Sequence, residues 1–188
     1  PAVVPLISGY HLQVIVCSTS GKSSLDSLDE LLLRYQPEVF WYSPLLPETA
    51  VAELMDQTQP TGGASTSLVP GQVMKIGEDF QLSVLAVRPE GTALLLEYQQ
   101  LQVLIPGGIS QSVLRQLVPV STTYGTVLVL TQRDLVSADV DEWYQQSFQA
   151  IMVSGEDQNC PAAHCRTTAV YGSLELVSDG SSFWLSSQ

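Results

Sequence analysis

The sequence has few basic residues. Of its 188 residues only 7 are Lys or Arg, against 19 Asp or Glu, and the formal net charge is -12. A protein that holds a nucleic acid by its phosphates needs clustered basic side chains, whereas here they are scattered singly. This shortage argues against strong DNA or RNA binding by the chain alone. The same acidity disfavours docking on an anionic membrane surface.

Long apolar runs are also missing. No run reaches the roughly 20 residues of a membrane-spanning helix, and the N-terminus lacks the basic start of a signal peptide. The first ten residues, PAVVPLISGY, carry two prolines and no helical pattern, which is typical of a linker or an entry strand cut from something longer. The sequence therefore predicts a soluble piece and leaves open whether it is a fragment of a longer chain.

Histidine and cysteine are scarce, with two His and three Cys residues. The single histidines and the lack of a G-x-S-x-G elbow disfavour a serine nucleophile with Lys22 or a histidine as its base. A disulfide between Cys160 and Cys165 is sterically allowed and would fit an oxidising compartment, although spacing alone does not establish it. The alternative, a metal site of Cys160, His164 and Cys165, lacks the usual cysteine spacing and a fourth ligand.

Hydrophobic residues, in contrast, are plentiful and make up 45% of the chain. This is enough for one well-buried core, so a single domain over residues 1–188 is predicted. The most structure-specifying stretch is Thr92 to Gly108, TALLLEYQQLQVLIPGG. Its continuous leucines at 94–96 indicate a strand covered on both faces, and Leu101, Val103 and Ile105 alternate as a second strand. The short polar turn between them predicts a hairpin that ends in a Pro-Gly-Gly break.

Two strand-loop-helix units precede this hairpin. Strands are predicted at Leu12–Cys17 and Glu38–Tyr42, and helices at Leu25–Tyr35 and Glu48–Gln57. Short β segments at 65–69 and 72–75 and a strand at Phe80–Val87 then predict a run of antiparallel strands.

Further strands and helices follow the hairpin. The predicted elements are a helix at 110–117 capped by Ser110, a strand at 126–130, a helix at 137–146, a strand at 148–153 and a closing hairpin, 169–177 with 182–185, around Asp179-Gly180. The predicted fold class is α/β, with a mixed sheet and helices outside it in layers.

The polar loop STSGKSS after the first strand invites a nucleotide-binding hypothesis. Gly21-Lys22-Ser23 matches the end of the P-loop pattern, with Lys22 for the phosphates and Ser23 for magnesium. The first glycine of that pattern is replaced by Val16, which lies inside the predicted strand. A valine there prevents the backbone from wrapping phosphates, so a solvated turn is the favoured interpretation.

The order of these elements, with ALLLEYQQLQVLIPGG, TVLVLTQRD and the terminal Asp-Gly hairpin, resembles the later half of the metallo-β-lactamase fold. More narrowly, it resembles the soluble C-terminal domain of ComEC-type DNA-internalisation competence proteins. The likeness covers Gly9 to about Leu185 and depends on the order of elements rather than on one motif. It implies a layered αββα fold in truncated or half-domain form, because the N-terminal part of the family domain is not seen.

The resemblance also implies where metal ligands would lie. The family has a histidine- and aspartate-rich loop after the first strand, an aspartate after a Leu-Leu-x-Gly strand end, and a histidine pair after an apolar strand. The corresponding positions here are Thr19, Gly21, Ser23, Ser24, Gly108 and Gln132. Metal-dependent phosphodiester cleavage needs imidazole or carboxylate ligands that bind the ion and activate its water. These positions are therefore vacated, and no catalytic residue and no cofactor is expected.

The resulting expectation is a catalytically inactive metallo-β-lactamase-like domain with a structural or partner-binding role. Its partner would be the rest of a polytopic DNA-uptake membrane protein in cis, and its location the extracytoplasmic face of the bacterial cytoplasmic membrane. Two alternatives stay open: a metal-dependent hydrolase or nuclease with residual activity, and a nucleotide-binding module that uses Gly21-Lys22-Ser23.

Overall fold

A computed structural model describes most of the chain in two compact units, Pro1–Leu68 and Val69–Gln188. The described residues are 13–18, 22–58, 64–118, 124–131, 134–135, 147–155 and 164–187. The prediction that residues 1–188 form a single domain stays a prediction. None of the helices in these ranges combines the length and the hydropathy that a bilayer span requires.

The first unit is a parallel three-stranded sheet with two crossover helices. Its elements are β1 (Val14–Cys17), α1 (Lys22–Tyr35), β2 (Val39–Tyr42), α2 (Glu48–Thr58) and β3 (Ala64–Ser67). The strand order is β1-β2-β3 and both pairings are parallel. Because the two crossovers run in the same direction across the sheet, the right-handed rule places both helices on one face, and α1 contacts α2.

The core of this unit follows from the spacing of its apolar residues. Leu28 and Leu32, four residues apart on α1, pack with Phe40 of β2 and Leu54 of α2. Leu33, on another face of α1, is exposed, as a helix with one apolar stripe requires. Each leucine buried in this way contributes about 2 kcal/mol through the apolar area removed from water.

Two predictions for this unit are corrected. The helix predicted from Leu25 begins three residues earlier, at Lys22, so part of the expected polar loop is helical. The segment near Ser65 is not part of an antiparallel run: β3 pairs in parallel with β2, with Phe40 opposite Ser65. A strand of the sequence ASTS carries too little apolar pattern to indicate its partner.

The second unit contains a seven-stranded mixed sheet in the order β10-β9-β8-β7-β6-β5-β4. Its strands are β4 (Val73–Ile76), β5 (Phe80–Arg88), β6 (Gly91–Tyr98), β7 (Leu101–Ile105), β8 (Gly125–Thr131), β9 (Ala150–Ser154) and β10 (Cys165–Thr167). Strands β4 to β7 form an antiparallel meander, whereas β7 to β10 pair in parallel. The prediction of a mixed α/β fold is confirmed at this level.

The predicted hairpin at 92–108 is confirmed as β6 and β7. Tyr98 pairs with Leu101, so Gln99 and Gln100 form a two-residue turn, and Gln99 has a φ of 49°. Residues 91–95 are all buried, as expected for a strand covered on both faces.

Different elements cover the two faces of the sheet. On one face Leu104, Leu128 and Ile151 pack against Leu114 of α3 (Gln111–Leu117). On the other face Val103 and Val127 pack against the closing hairpin of β11 (Leu174–Ser178) and β12 (Phe183–Ser187). Ser110 occupies the N-cap position of α3 as predicted, but its side chain makes no capping hydrogen bond.

The segment before the closing hairpin differs from the prediction. Cys165–Thr167 forms β10, and residues 168–171 form a short helix, α4 (Thr168–Tyr171), where a strand was expected. Thr167 caps this helix by accepting a hydrogen bond from the Ala169 main-chain N–H at 3.2 Å. The helix predicted at 137–146 lies outside the described residues.

Candidate functional site

The carboxyl ends of the parallel strands β7, β8 and β9 lie side by side along one end of the large sheet, which we call its carboxyl edge. Leu104 pairs with Leu128, and Thr131 pairs with Ser154, so the loops that leave these strands start side by side. Such strand ends are where parallel sheets carry ligands and catalytic groups. We therefore take this edge as the candidate site.

A tight glycine turn closes the β7 end of the edge. Gly107 and Gly108 have φ angles of 57° and 91°. A Cβ on Gly107 would lie 2.1 Å from the main-chain oxygen of Thr92, and one on Gly108 would lie 2.5 Å from that of Glu90. The turn is packed against the β5–β6 connection so closely that only glycine fits.

Asp134 joins this turn to the end of β8. Its Oδ1 accepts a hydrogen bond from the Gly108 N–H at 2.7 Å, and its Oδ2 accepts from both the N–H and the hydroxyl of Thr131, each at 2.7 Å. The Asp134 side chain is only 4% exposed. Hydrogen bonds to an ionised acceptor contribute about 1.5–3 kcal/mol each, so this carboxylate is a strong link between two strand ends.

Sequence reasoning did not identify Asp134. It lies in the segment Thr131-Gln132-Arg133-Asp134, and the local signal was available, because an Asp side chain readily bonds a nearby main-chain N–H. The bond to Gly108 could not be seen without the parallel pairing of β7 with β8.

The predicted vacated positions are divided between the two units. Gly108, in the second unit, is described in full. Ser23 and Ser24 lie in the first turn of α1 in the first unit, where only the backbone is described. Thr19, Gly21 and Gln132 lie outside the described residues, so the full set of vacated positions stays a prediction.

Val16 is the described residue at which the nucleotide-binding hypothesis can be compared with the structure. This residue lies inside β1 and pairs with Trp41 of β2, so its backbone is part of a sheet and not of a phosphate-wrapping loop. Lys22 is the first residue of α1. The structure therefore agrees with the sequence argument against a P-loop, because the backbone at Val16 cannot wrap phosphates.

Of the predicted histidine and cysteine cluster, the described members His164 and Cys165 lie at the amino ends of β9 and β10. Cys165 begins β10 opposite Ile151 and is disulfide-bonded, whereas Cys160 lies outside the described residues, so the pairing of these two cysteines stays a prediction. At ~3.3 Å per residue, His164 lies about 13 Å along the strands from the level of Thr131. His164 is therefore not part of the edge that Asp134 occupies.

A cleft of about 510 Å³ opens near the amino ends of β8 and β9. Tyr124, Gln149 and Phe183 line it, together with main-chain and hydroxyl groups of the β11–β12 loop. In that loop the N–H of Ser182, followed by the N–H and hydroxyl of Ser181, lowers the pKa of Asp179. The lining offers neutral hydrogen-bonding groups and aromatic surface, and it lacks an acid–base pair.

Among the residues that the structure describes, no group of three or more His, Cys, Asp or Glu side chains is placed to hold a metal ion. No model of a known protein family matches the chain, and no curated protein matches it either. The site must therefore be judged on its own geometry.

Proposed function

We propose that the chain is a catalytically inactive metallo-β-lactamase-like domain of a ComEC-type DNA-uptake protein. Its role is structural or partner-binding, at the extracytoplasmic face of a bacterial membrane and in cis to a polytopic membrane region. The order of β and α elements in the sequence supports the family. The mixed sheet with helices and a hairpin on its faces is compatible with it.

The geometry at position 108 is the observation that supports the proposed lack of catalysis. By resemblance, this is where the family has a bridging carboxylate. Here a side chain would meet the Glu90 oxygen at 2.5 Å on a backbone with a φ of 91°. Asp134, whose carboxylate contacts the Gly108 N–H, has both of its oxygens bonded to main-chain or hydroxyl donors. Three donors already use most of the roughly four lone-pair positions of this carboxylate, so a metal would compete with them for Asp134.

The test is metal content and phosphodiester hydrolysis. Purified protein is incubated with Zn²⁺ or Mn²⁺, desalted and analysed for bound metal, and hydrolysis of a phosphodiester reporter and of plasmid DNA is measured. We expect less than stoichiometric metal and no hydrolysis, because one carboxylate cannot bind and activate a metal-bound water. The variant Gly108→Asp should also be inactive, since one restored carboxylate does not complete a ligand set; far-ultraviolet circular dichroism first establishes that it folds, because its side chain would meet the Glu90 oxygen.

Stoichiometric Zn²⁺ or Mn²⁺, with hydrolysis that a chelator abolishes, would contradict the proposal and support a residual hydrolase. The family assignment has a separate test in the reading frame upstream of Pro1. We expect it to encode the missing half-domain and a polytopic hydrophobic region. A frame that encodes neither would remove the competence assignment without affecting the result on catalysis.

A further inference from the structure

Among the described residues, three hydrogen-bond donors converge at the carboxyl edge of β7 and β8. They are the main-chain N–H of Gly108 and the main-chain N–H and hydroxyl of Thr131, and each lies 2.7 Å from an oxygen of Asp134. Main-chain N–H groups that point at a common centre form a concave site for an anion. The occupant here is a carboxylate from the protein itself.

The donors are held in place by features other than Asp134. Gly108 is fixed by its close approach to the Glu90 oxygen, and Thr131 is fixed by its pairing with Ser154. Gly108 is half-buried and Thr131 is exposed, so without the carboxylate their two N–H groups and the hydroxyl would exchange an ionised acceptor for water, and hydrogen bonds to an ionised acceptor are the stronger ones. The fold therefore presents converging donors that an anion satisfies better than water does.

We propose that Gly108 and Thr131 form an anion-binding site that the protein occupies with its own Asp134 carboxylate, and that a free small carboxylate takes this place once the Asp134 side chain is removed. The Asp134 contact thus excludes an external carboxylate from this strand edge. The inference does not depend on the competence assignment or on the loss of catalysis.

The experiment is chemical rescue of the Asp134→Ala variant. Its melting temperature is measured in sodium formate and in sodium chloride at equal ionic strength. We expect the variant to melt below wild type in chloride, and formate to raise its melting temperature saturably. At about ten times the half-saturating concentration the rise should be about 4 °C, whereas wild type should respond equally to the two salts.

Three control variants define the site. Asp134→Asn fills the same space with an amide, so it should be destabilised and should not respond to formate. Adding Thr131→Val to Asp134→Ala removes the hydroxyl donor and should weaken the formate effect. Asp79→Ala removes an exposed carboxylate that accepts a hydrogen bond from Gln99, and it should show no formate-specific response.

A direct readout accompanies the thermal one. A crystal structure of Asp134→Ala grown in formate should place the formate within hydrogen-bond distance of the Gly108 and Thr131 nitrogens. If the variant does not stay folded in chloride, it is refolded by dilution from denaturant into formate or into chloride, and the yield of folded protein is measured. We expect a higher yield in formate.

Three results would overturn the proposal. One is an Asp134→Ala variant as stable as wild type in chloride, because the donors would then gain nothing from an anion. Another is an equal effect of formate and chloride on melting and on refolding yield. A stabilisation by inorganic phosphate without one by formate would also contradict it, since the space left by Asp134 is that of one carboxylate.

Discussion

Gly108 is fixed by two separate constraints that a substitution can distinguish. Its φ of 91° lies in the left-handed region, and a Cβ would approach the Glu90 oxygen to 2.5 Å. Gly71 has a similar φ of 83°, but nothing lies within 4 Å of its Cβ position. Alanine substitutions at Gly71 and Gly108 therefore separate the free-energy cost of a left-handed backbone from the cost of a steric collision.

We predict that Gly71→Ala lowers the free energy of unfolding by about 1 kcal/mol, the cost of a left-handed alanine, and that Gly108→Ala lowers it by at least about 3 kcal/mol. Urea unfolding followed by tryptophan fluorescence measures both. Equal losses would mean that the turn moves away from Glu90 at little cost, and the geometric argument against a ligand at position 108 would fail.

Individual residues at the candidate site were only partly predictable. The Pro-Gly-Gly break was visible because glycine and proline interrupt an alternating pattern. The part played by Asp134 was not visible, because its bond to Gly108 joins residues 26 apart in sequence. That contact exists only after β7 and β8 pair in parallel, and sequence periodicity does not report which strands pair.

The closing hairpin shows how one element divides its residues between two faces. Phe183 and Leu185 of β12 pack on the sheet core with Leu176 of β11. Trp184 lies between them in sequence, points outward opposite Val177, and is 53% exposed. Neighbouring aromatic residues on one strand therefore provide a matched pair for mutation.

We predict that Phe183→Ala lowers the free energy of unfolding by about 3 kcal/mol, at the low end for buried phenylalanine because Phe183 is only partly buried. Trp184→Ala should cost less than about 1 kcal/mol. Thermal or urea unfolding monitored by far-ultraviolet circular dichroism measures both without depending on the tryptophan signal. A larger loss for Trp184 would indicate that the outer face of the hairpin is covered, contrary to its exposure here.

Elements with strong local patterns were predicted best. The hairpin at 92–108, helix α2 and the Asp-Gly hairpin all agree with the structure, because apolar alternation, a proline before a helix and an Asp-Gly turn act within a few residues. Two predictions were wrong: the antiparallel pairing of the segment that forms β3, and the start of the strand at 169–177, where α4 lies. Their sequences are polar or short, so pairing with β2 and capping by Thr167 decided them.

At the scale of the whole molecule, charge is the property that sequence determines most directly. The acidic excess is spread over both compact units, and α2 alone presents the exposed carboxylates Glu48, Glu53 and Asp56. Binding to nucleic acid depends on how many phosphates the protein neutralises. A chain with a net charge of -12 repels a polyanion at long range, and salt reduces that repulsion without creating attraction.

We therefore predict no measurable binding of labelled single-stranded or duplex DNA at micromolar protein and physiological salt, by fluorescence anisotropy. The comparison variant replaces Glu48, Glu53 and Asp56 with lysine, which halves the net charge and creates a basic patch on one helix. This variant should bind DNA at low salt and release it as salt rises, in proportion to the phosphates it contacts. Tight, salt-dependent binding by the wild-type chain would contradict the charge argument.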